Sequence, residues 1–167
     1  MNRAILVLVV ALAGCGSAHT AFRPVRVAPG ELTLRYDDGF EIWSGRGLVA
    51  SGPRYDGLTG FVRCVPDAER HAREAESSGL SASLMSGFSI GFAATGLGGL
   101  GGLYWLHKDN TTMAAFLVSG IVLEVGAIAL GASSLSAKAE AHGNALDAVN
   151  FYNDAVGFQG AGCPAGR

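Results

Sequence analysis

One carboxylate, Glu124, stands within an otherwise uncharged stretch, Met113–Leu135. An ionisable side chain in so apolar a segment is costly, so it is a candidate functional group by default. Helical spacing gives it small neighbours on the same face: Gly120, Ala127 and Gly131. Glu124 should therefore point toward protein and not toward lipid. We expect a protonated Glu124 that hydrogen-bonds to Thr95, at the same depth of a neighbouring helix. The alternative is a ring of Glu124 side chains from several copies, which would line a pore or relay protons.

A row of small residues marks a second uncharged stretch, Leu80–Leu106. Its members recur every four positions: Ser83, Gly87, Gly91, Thr95 and Gly99. Small side chains at this spacing let helix backbones approach closely in lipid. We therefore expect this row to pack helices, either within one hairpin or between several copies. The run Gly96–Gly102 is superficially like a phosphate-binding loop, but it lacks the following Lys-Ser/Thr pair and lies in an apolar segment, which argues against nucleotide binding.

The remaining polar residues do not form the constellation of an enzyme. No two of the four histidines have the i, i+4 spacing of helical metal ligands: His19, His71, His107 and His142. We therefore expect no enzyme activity, no metal and no cofactor other than a covalent lipid. A polar row recurs at three- and four-residue spacing near the end of the chain: Asp147, Asn150, Asn153 and Asp154. This row is either a face for a protein partner or the solvated side of a helix.

The first fifteen residues have the order of an export signal. Arg3 supplies a positive charge, and the apolar run that follows, Ala4–Leu12, is too short to span a bilayer. The next residues, Leu12-Ala13-Gly14-Cys15, resemble the lipobox of bacterial lipoproteins. The resemblance implies cleavage before Cys15 and a diacylglycerol and an acyl chain such as palmitate on that cysteine. It also implies a periplasm-facing protein of the cell envelope. An ordinary signal peptide with a coincidental cysteine is the alternative reading.

With Cys15 assigned to lipid, two cysteines remain, Cys64 and Cys163. An even number of thiols outside the cytosol favours a disulfide. Two separate, reduced thiols are the alternative. The bridge would close a loop of about 100 residues, for which the chain-entropy model gives roughly 4–5 kcal/mol of stabilisation.

Strand alternation follows the predicted tether. Leu32, Leu34 and Tyr36 fall on one face of a strand, with Thr33 and Arg35 on the other. An Asp-Gly turn at 37–39 and a second Gly-rich turn at 45–47 separate this run from two further apolar runs, which predicts a small antiparallel meander. So small a sheet is marginal in water and should pack on another element.

Helical patterns fill the rest of the chain. Pro66 suits a first helical position, and Asp67 and Glu69 suit the positive end of the helix dipole. The two uncharged stretches each exceed the roughly 20 residues needed to span a bilayer. The polar hexapeptide between them, His107–Thr112, is short enough to make the two helices antiparallel neighbours. Folding the chain back at this loop places Glu69–Arg73 opposite roughly Leu146–Asn150. Burial of both helices within a soluble protein is the alternative.

The predicted fold class is therefore mainly α with a small β part. A long antiparallel two-helix hairpin, embedded in a membrane through its middle, follows an N-terminal β-meander. The expected divisions are a signal peptide (1–14), a lipidated tether (15–30), the meander (31–65), the hairpin (66–156) with apolar spans 80–106 and 113–135, and a C-terminal tail (157–167).

For function, the sequence favours a structural or protein-interaction role in the envelope, with the membrane, an envelope protein or further copies of the chain as partners. A small oligomeric channel or transport accessory, or a soluble lipoprotein module that binds a hydrophobic ligand, are the alternatives. The formal net charge of −2 and the lack of a basic patch argue against nucleic acid. Gly16, directly after the lipidated cysteine, resembles the outer-membrane sorting pattern, so the outer membrane is favoured over the inner.

Overall fold

The computed structural model describes residues 28, 30–37, 39–45, 47–102, 110–156 and 163. Within these residues the chain forms three short strands and then three helices. The strands are β1 (Leu32–Tyr36), β2 (Phe40–Ser44) and β3 (Gly47–Ser51). The helices are α1 (Leu58–Val62), α2 (Pro66–Gly102) and α3 (Asn110–Ala155). The predicted class, a long helical hairpin with a small β-meander, is confirmed.

The sheet is antiparallel, in the order β1-β2-β3. Leu34 pairs with Ile42 and Ile42 pairs with Ala50, which aligns one apolar column across all three strands. On the opposite face, the Arg35 guanidinium carbon lies 4.6 Å from the centre of the Trp43 ring. Gly45 has φ +56° in the second turn, a conformation that Gly adopts without steric cost. The alternation of side chains in β1 is thus as predicted.

Helix α1 lies within the segment that the sequence assigned to the meander alone. Its five residues are too few for a periodic pattern, so the sequence did not reveal it. Two contacts hold it in place. Leu58 and Val62, one turn apart, are fully buried. At its start, the backbone N–H groups of Gly57 and Thr59 both donate to one carboxylate oxygen of Glu76, at 3.1 and 3.0 Å.

Helices α2 and α3 pack side by side in opposite directions. They contain 37 and 46 residues, so they are roughly 55 and 70 Å long. Helix α2 continues without a break from its charged first half into its apolar second half, so the helix that begins at Pro66 and the predicted span are one element. The side chain of His71 contacts Asn144, and Ser89 contacts Ala127, which confirms the predicted folding back of the chain.

The seam between the two helices is lined by small side chains. On α2 they recur in alternating steps of four and three: Ala68, Ala72, Ala75, Gly79, Ala82, Ser86, Ser89, Ala93 and Gly96. The alanines at 68, 72, 75 and 82 are fully buried. Helix α3 contributes a matching set: Gly120, Ala127, Ser134, Ala141, Ala145 and Ala148. This is the 3.5-residue repeat of a coiled coil, with small residues where leucine is usual.

The sheet and α1 cover the outer halves of both helices and form with them a compact unit, which we call the head. It comprises the described residues of 30–65, the α2 segment 66–79 and the α3 segment 137–155. Large side chains of the sheet, the loop after β3 and α1 meet the alanines of the two long helices. The largest fully buried side chains among the described residues are Tyr55, Tyr152, Ile42, Leu58 and Val62. Cys64 and Cys163 lie at disulfide distance, with 5.5 Å between their Cα atoms, which confirms that the two come together.

Candidate functional site

Beyond the head, the large side chains of the hairpin point outward. Exposed residues occur on both helices: Leu84, Phe88, Ile90, Leu97, Val118, Ile121, Val122, Val125, Ile128 and Leu135. We call this surface the apolar belt. Only 11% of the most apolar stretch of each helix is buried, and both helices are long and apolar enough to cross a membrane. A core helix of a soluble protein would instead bury these residues.

Three of the five small residues predicted on α2 do not pack within the hairpin. A Cβ added at Gly87, Gly91 or Gly99 would meet no atom of the described residues within 4 Å. Thr95 is exposed, and its hydroxyl donates to the carbonyl of Gly91 in its own helix. Ser83 is partly buried, and its hydroxyl donates to the carbonyl of Gly79. Packing of this whole row within one hairpin, the first of the two alternatives, is therefore wrong.

The error has a geometric cause. Residues four apart turn about 40° further around an α-helix with each step, so a row of five spreads over nearly half of its surface. The observed seam alternates steps of four and three, which keeps its residues facing one partner. The prediction was based on the row that contains most of the glycines, whereas the observed seam also contains alanine and serine. Whether the outward glycines contact another copy stays a prediction.

The small residues predicted on α3 do face α2. Gly120 and Ala127 are buried. The Ser89 hydroxyl donates across the seam to the carbonyl of Ala127, at 2.7 Å. A Cβ added at Gly131 would lie 3.2 Å from the same Ser89 oxygen. Serine and glycine thus give a close approach and an interhelical hydrogen bond at one level.

Glu124 lies on the predicted face, but its neighbour is not Thr95. A Cβ added at Gly96 would lie 2.8 Å from Glu124 Oε1 and 3.2 Å from the carbonyl oxygen of Gly120. Thr95 points away from the seam, so the predicted hydrogen bond between them does not form. Among the described residues, Glu124 Oε1 is buried and has no hydrogen-bond partner. The absent side chain of Gly96 makes room for this carboxyl, which faces the partner helix of the same hairpin.

A second polar cluster, in the head, was not foreseen from the sequence. The Tyr55 hydroxyl lies 2.5 Å from Nδ1 of His142 on α3. The His142 ring also packs on Phe40 of β2, with 4.5 Å between ring centroids. Burial raises the pKa of Tyr55 well above its usual range. Burial, and then the positive charge of Lys138, lower the pKa of His142. The hydroxyl therefore keeps its proton and donates a hydrogen bond to Nδ1 of a neutral imidazole.

Two other predicted polar residues also have roles inside the head. The His71 ring stacks on Phe151, and its Nδ1 lies 3.0 Å from the side-chain oxygen of Asn144. Asn153 belongs to the predicted polar row, but its amide makes two hydrogen bonds with the backbone of Leu32 in β1. It fastens the sheet to α3, so it is not a free binding residue. These contacts join segments far apart in the sequence, where no local pattern marks them.

Several predicted features fall outside the described residues: the lipobox with Cys15, most of the tether, His19, His107 and most of the C-terminal tail. Within the described ranges, no three His, Cys, Asp or Glu side chains are grouped so that they could hold a metal ion.

Comparison of the chain with models of protein families, with curated proteins and with solved structures found no match.

Proposed function

We propose that this chain is a lipid-anchored protein of the bacterial cell envelope whose hairpin spans a membrane and whose head has a structural or protein-interaction role. The observation that carries the proposal is the distribution of side-chain size in the hairpin. Small residues fill the seam, and large apolar residues form the belt. This arrangement suits a lipid surround, where close backbone contact replaces hydrophobic burial as the source of helix association.

The alternative of a soluble hairpin is disfavoured by the extent of the belt. Soluble monomers rarely expose contiguous apolar patches larger than a few hundred Å². Ile128 and Val122 are 71% and 64% exposed, and each has apolar neighbours one turn away on the same helix. The described residues of the head leave this part of both helices uncovered.

Lipid attachment at Cys15 and the location of the head complete the proposal. An antiparallel hairpin returns both ends of the chain to the same side of the membrane, as the pairing of Cys64 with Cys163 also requires. The head would then lie on the side of the lipid anchor, facing the periplasm. The Gly16 pattern supports the outer membrane.

Self-association within the membrane is a further part of the proposal. Gly87 and Gly91 leave a gap in the belt, where no atom of the described part of the chain would meet an added side chain. A second helix could approach closely there. Cross-linking in native membranes should yield dimers or larger species, and Gly91→Leu should reduce them while Leu84→Ile, on the same helix, should not. Monomer alone from the wild type would contradict self-association and leave the anchoring proposal intact.

The anchoring proposal is tested by lipid labelling and alkaline extraction together. Radiolabelled palmitate should appear on the wild type and be lost in Cys15→Ser. The unlabelled Cys15→Ser chain should still remain in the membrane pellet after carbonate treatment, because the hairpin holds it. An unlabelled wild type would contradict lipidation, and release of Cys15→Ser by carbonate would contradict a membrane-spanning hairpin.

A further inference from the structure

A pocket of about 240 Å³ opens between the first turn of the sheet, the loop after β3 and helix α3. Its lining includes Tyr36, Phe40, Gly52, Pro53, Lys138 and His142. The two α3 residues are one helical turn apart and bring a cation and an imidazole to the same wall. Aromatic rings and backbone form the opposite wall.

The pocket lies where the head meets the apolar belt. On α3, Leu135 is 67% exposed and Lys138 follows it by about one turn. On α2, Leu80 is exposed, and the preceding residue, Gly79, contacts the backbone of Pro53 and Arg54 in the pocket loop. If the belt lies in the hydrocarbon core, the pocket is at the level of the lipid headgroups. Aromatic side chains and lysine are the residues typical of that level.

The polar groups of the pocket are suited to a phosphate. Within the described part of the chain, no carboxylate lies within ion-pairing distance of Lys138, so its charge is not neutralised there. When Nδ1 of the neutral His142 ring accepts the hydrogen bond from the Tyr55 hydroxyl, the other ring nitrogen, Nε2, carries the hydrogen and is a donor. An ammonium and a neutral N–H donor beside each other recognise an anionic oxygen group.

We propose that this pocket binds the phosphate of an anionic phospholipid headgroup, with Lys138 supplying the charge and His142 a hydrogen bond. The lipid's acyl chains would then lie along the apolar belt next to Leu135. This inference rests on the proposed membrane-spanning hairpin. The site would give the protein a preference for anionic over zwitterionic phospholipid, and it would fix the depth of the head at the membrane surface.

The test uses the full chain reconstituted in phosphatidylcholine bilayers with a trace of spin-labelled phosphatidylglycerol or spin-labelled phosphatidylcholine. The motionally restricted fraction of each label gives its relative association with the protein. We expect the wild type to prefer phosphatidylglycerol by about fivefold, the effect of roughly one basic side chain at a membrane surface. Lys138→Gln should abolish this preference. Arg54→Gln is the matched control, because Arg54 lies on the loop after β3 that borders the pocket, is half-exposed and is not among the pocket's lining residues.

Each outcome bears on the proposal. Equal preference in the wild type and Lys138→Gln, or an equal loss in Arg54→Gln, would overturn it, because the selectivity would then be absent or would come from diffuse surface charge. Displacement of restricted phosphatidylglycerol by millimolar inorganic phosphate would assign the pocket to free phosphate and overturn a lipid ligand. If both labels show a restricted fraction and the wild type prefers neither lipid, the pocket proposal is contradicted and the membrane-spanning hairpin is not. If neither labelled lipid shows a motionally restricted fraction, the membrane-spanning hairpin is contradicted, and this inference with it.

Discussion

At the scale of single residues, the head depends on one glycine where a loop lies directly on a helix. A Cβ added at Gly79 would lie 2.8 Å from the Cα of Arg54 and would also clash with the carbonyl of Pro53. Both of these atoms belong to the backbone, which cannot move aside as a flexible side chain can. Gly79 is therefore required by packing, although a glycine within a helix is otherwise unfavourable.

We predict that Gly79→Ala lowers the free energy of unfolding of the head by about 1–3 kcal/mol, the usual cost of overpacking a filled site. Chemical denaturation followed by tryptophan fluorescence measures it, since Trp43 lies in the sheet. Gly87→Ala is the control: it adds the same methyl group to the same helix in open space. Similar destabilisation in the two variants would contradict the close approach at Gly79.

His142 gives the stability of the head a dependence on pH. Its pKa is lowered in the folded state by burial and by the charge of Lys138, whereas an unfolded histidine titrates near pH 6.5. Near and below pH 6.5, the unfolded chain therefore binds a proton at His142 more readily than the folded chain does. This contribution to stability is fully present above about pH 7 and is lost as the pH falls below 6.5.

We accordingly predict that the denaturation midpoint of the head decreases as the pH is lowered from 7.5 to 5.5. The midpoint of His142→Gln should decrease less over the same interval. The comparison is between slopes, because the variant also loses the bond from Tyr55 and starts from a lower midpoint. An unchanged slope in His142→Gln would show that another group carries the pH dependence.

At the scale of elements, the small sheet is stabilised by its attachment to α3. The side-chain amide of Asn153 accepts a hydrogen bond from the Leu32 N–H at 2.8 Å and donates one to the Leu32 carbonyl at 2.9 Å. The amide thus takes the place of a neighbouring strand at the edge of β1. A three-stranded sheet of this size is only marginally stable without such support.

Asn153→Ala should therefore destabilise the sheet by about 1–3 kcal/mol, because both backbone groups of Leu32 lose their partner. Amide hydrogen exchange should speed up in β1 and β2 while the middle of the hairpin keeps its protection. Asn150→Ala, an exposed member of the same polar row, is the matched control and should leave exchange in the sheet unchanged. Unaltered exchange in Asn153→Ala would mean that packing alone holds the sheet.

The elements that were predicted correctly are those with a local signal. The alternation from Leu32 to Tyr36, the Asp-Gly turn and the uncharged stretches each reflect a period or a composition within a short window. Helix α1 was missed because five residues carry no period. The seam was misplaced because the conspicuous glycines at 87, 91 and 99 follow a four-residue row, while the less conspicuous alanines and serines follow the repeat that faces α3.

Within the candidate sites, sequence reasoning found the face and depth of Glu124 but not its neighbour. Gly96 and Thr95 are adjacent in the sequence and about 100° apart around the helix. The alignment of the two helices follows from the sequence only to within about one residue, so it does not distinguish these two neighbours. The pairing of Tyr55 with His142 could not be predicted in this way. It depends on a loop conformation with φ +55° at Tyr55 and on a contact across 87 positions of the chain.

At the scale of the whole molecule, the hairpin has two environments along its length. In the head, alanines of both helices are covered by the sheet and α1, and Cys163 packs against the same core. Further along, the same small-residue seam continues, but large apolar side chains face outward with no protein over them among the described residues. One continuous pair of helices therefore links a protein-covered end to an end suited to lipid.

The most direct test of this account measures the surroundings of single spin labels in reconstituted bilayers. Labels are attached at Val122→Cys in the belt and Asp147→Cys in the head, each in a Cys15→Ser background so that the introduced thiol is free to react. We predict that the Val122 label is more accessible to oxygen than to a water-soluble nickel chelate, and that the Asp147 label shows the reverse. A Val122 label as accessible to the chelate as the Asp147 label would place the belt in water and contradict the membrane-spanning hairpin.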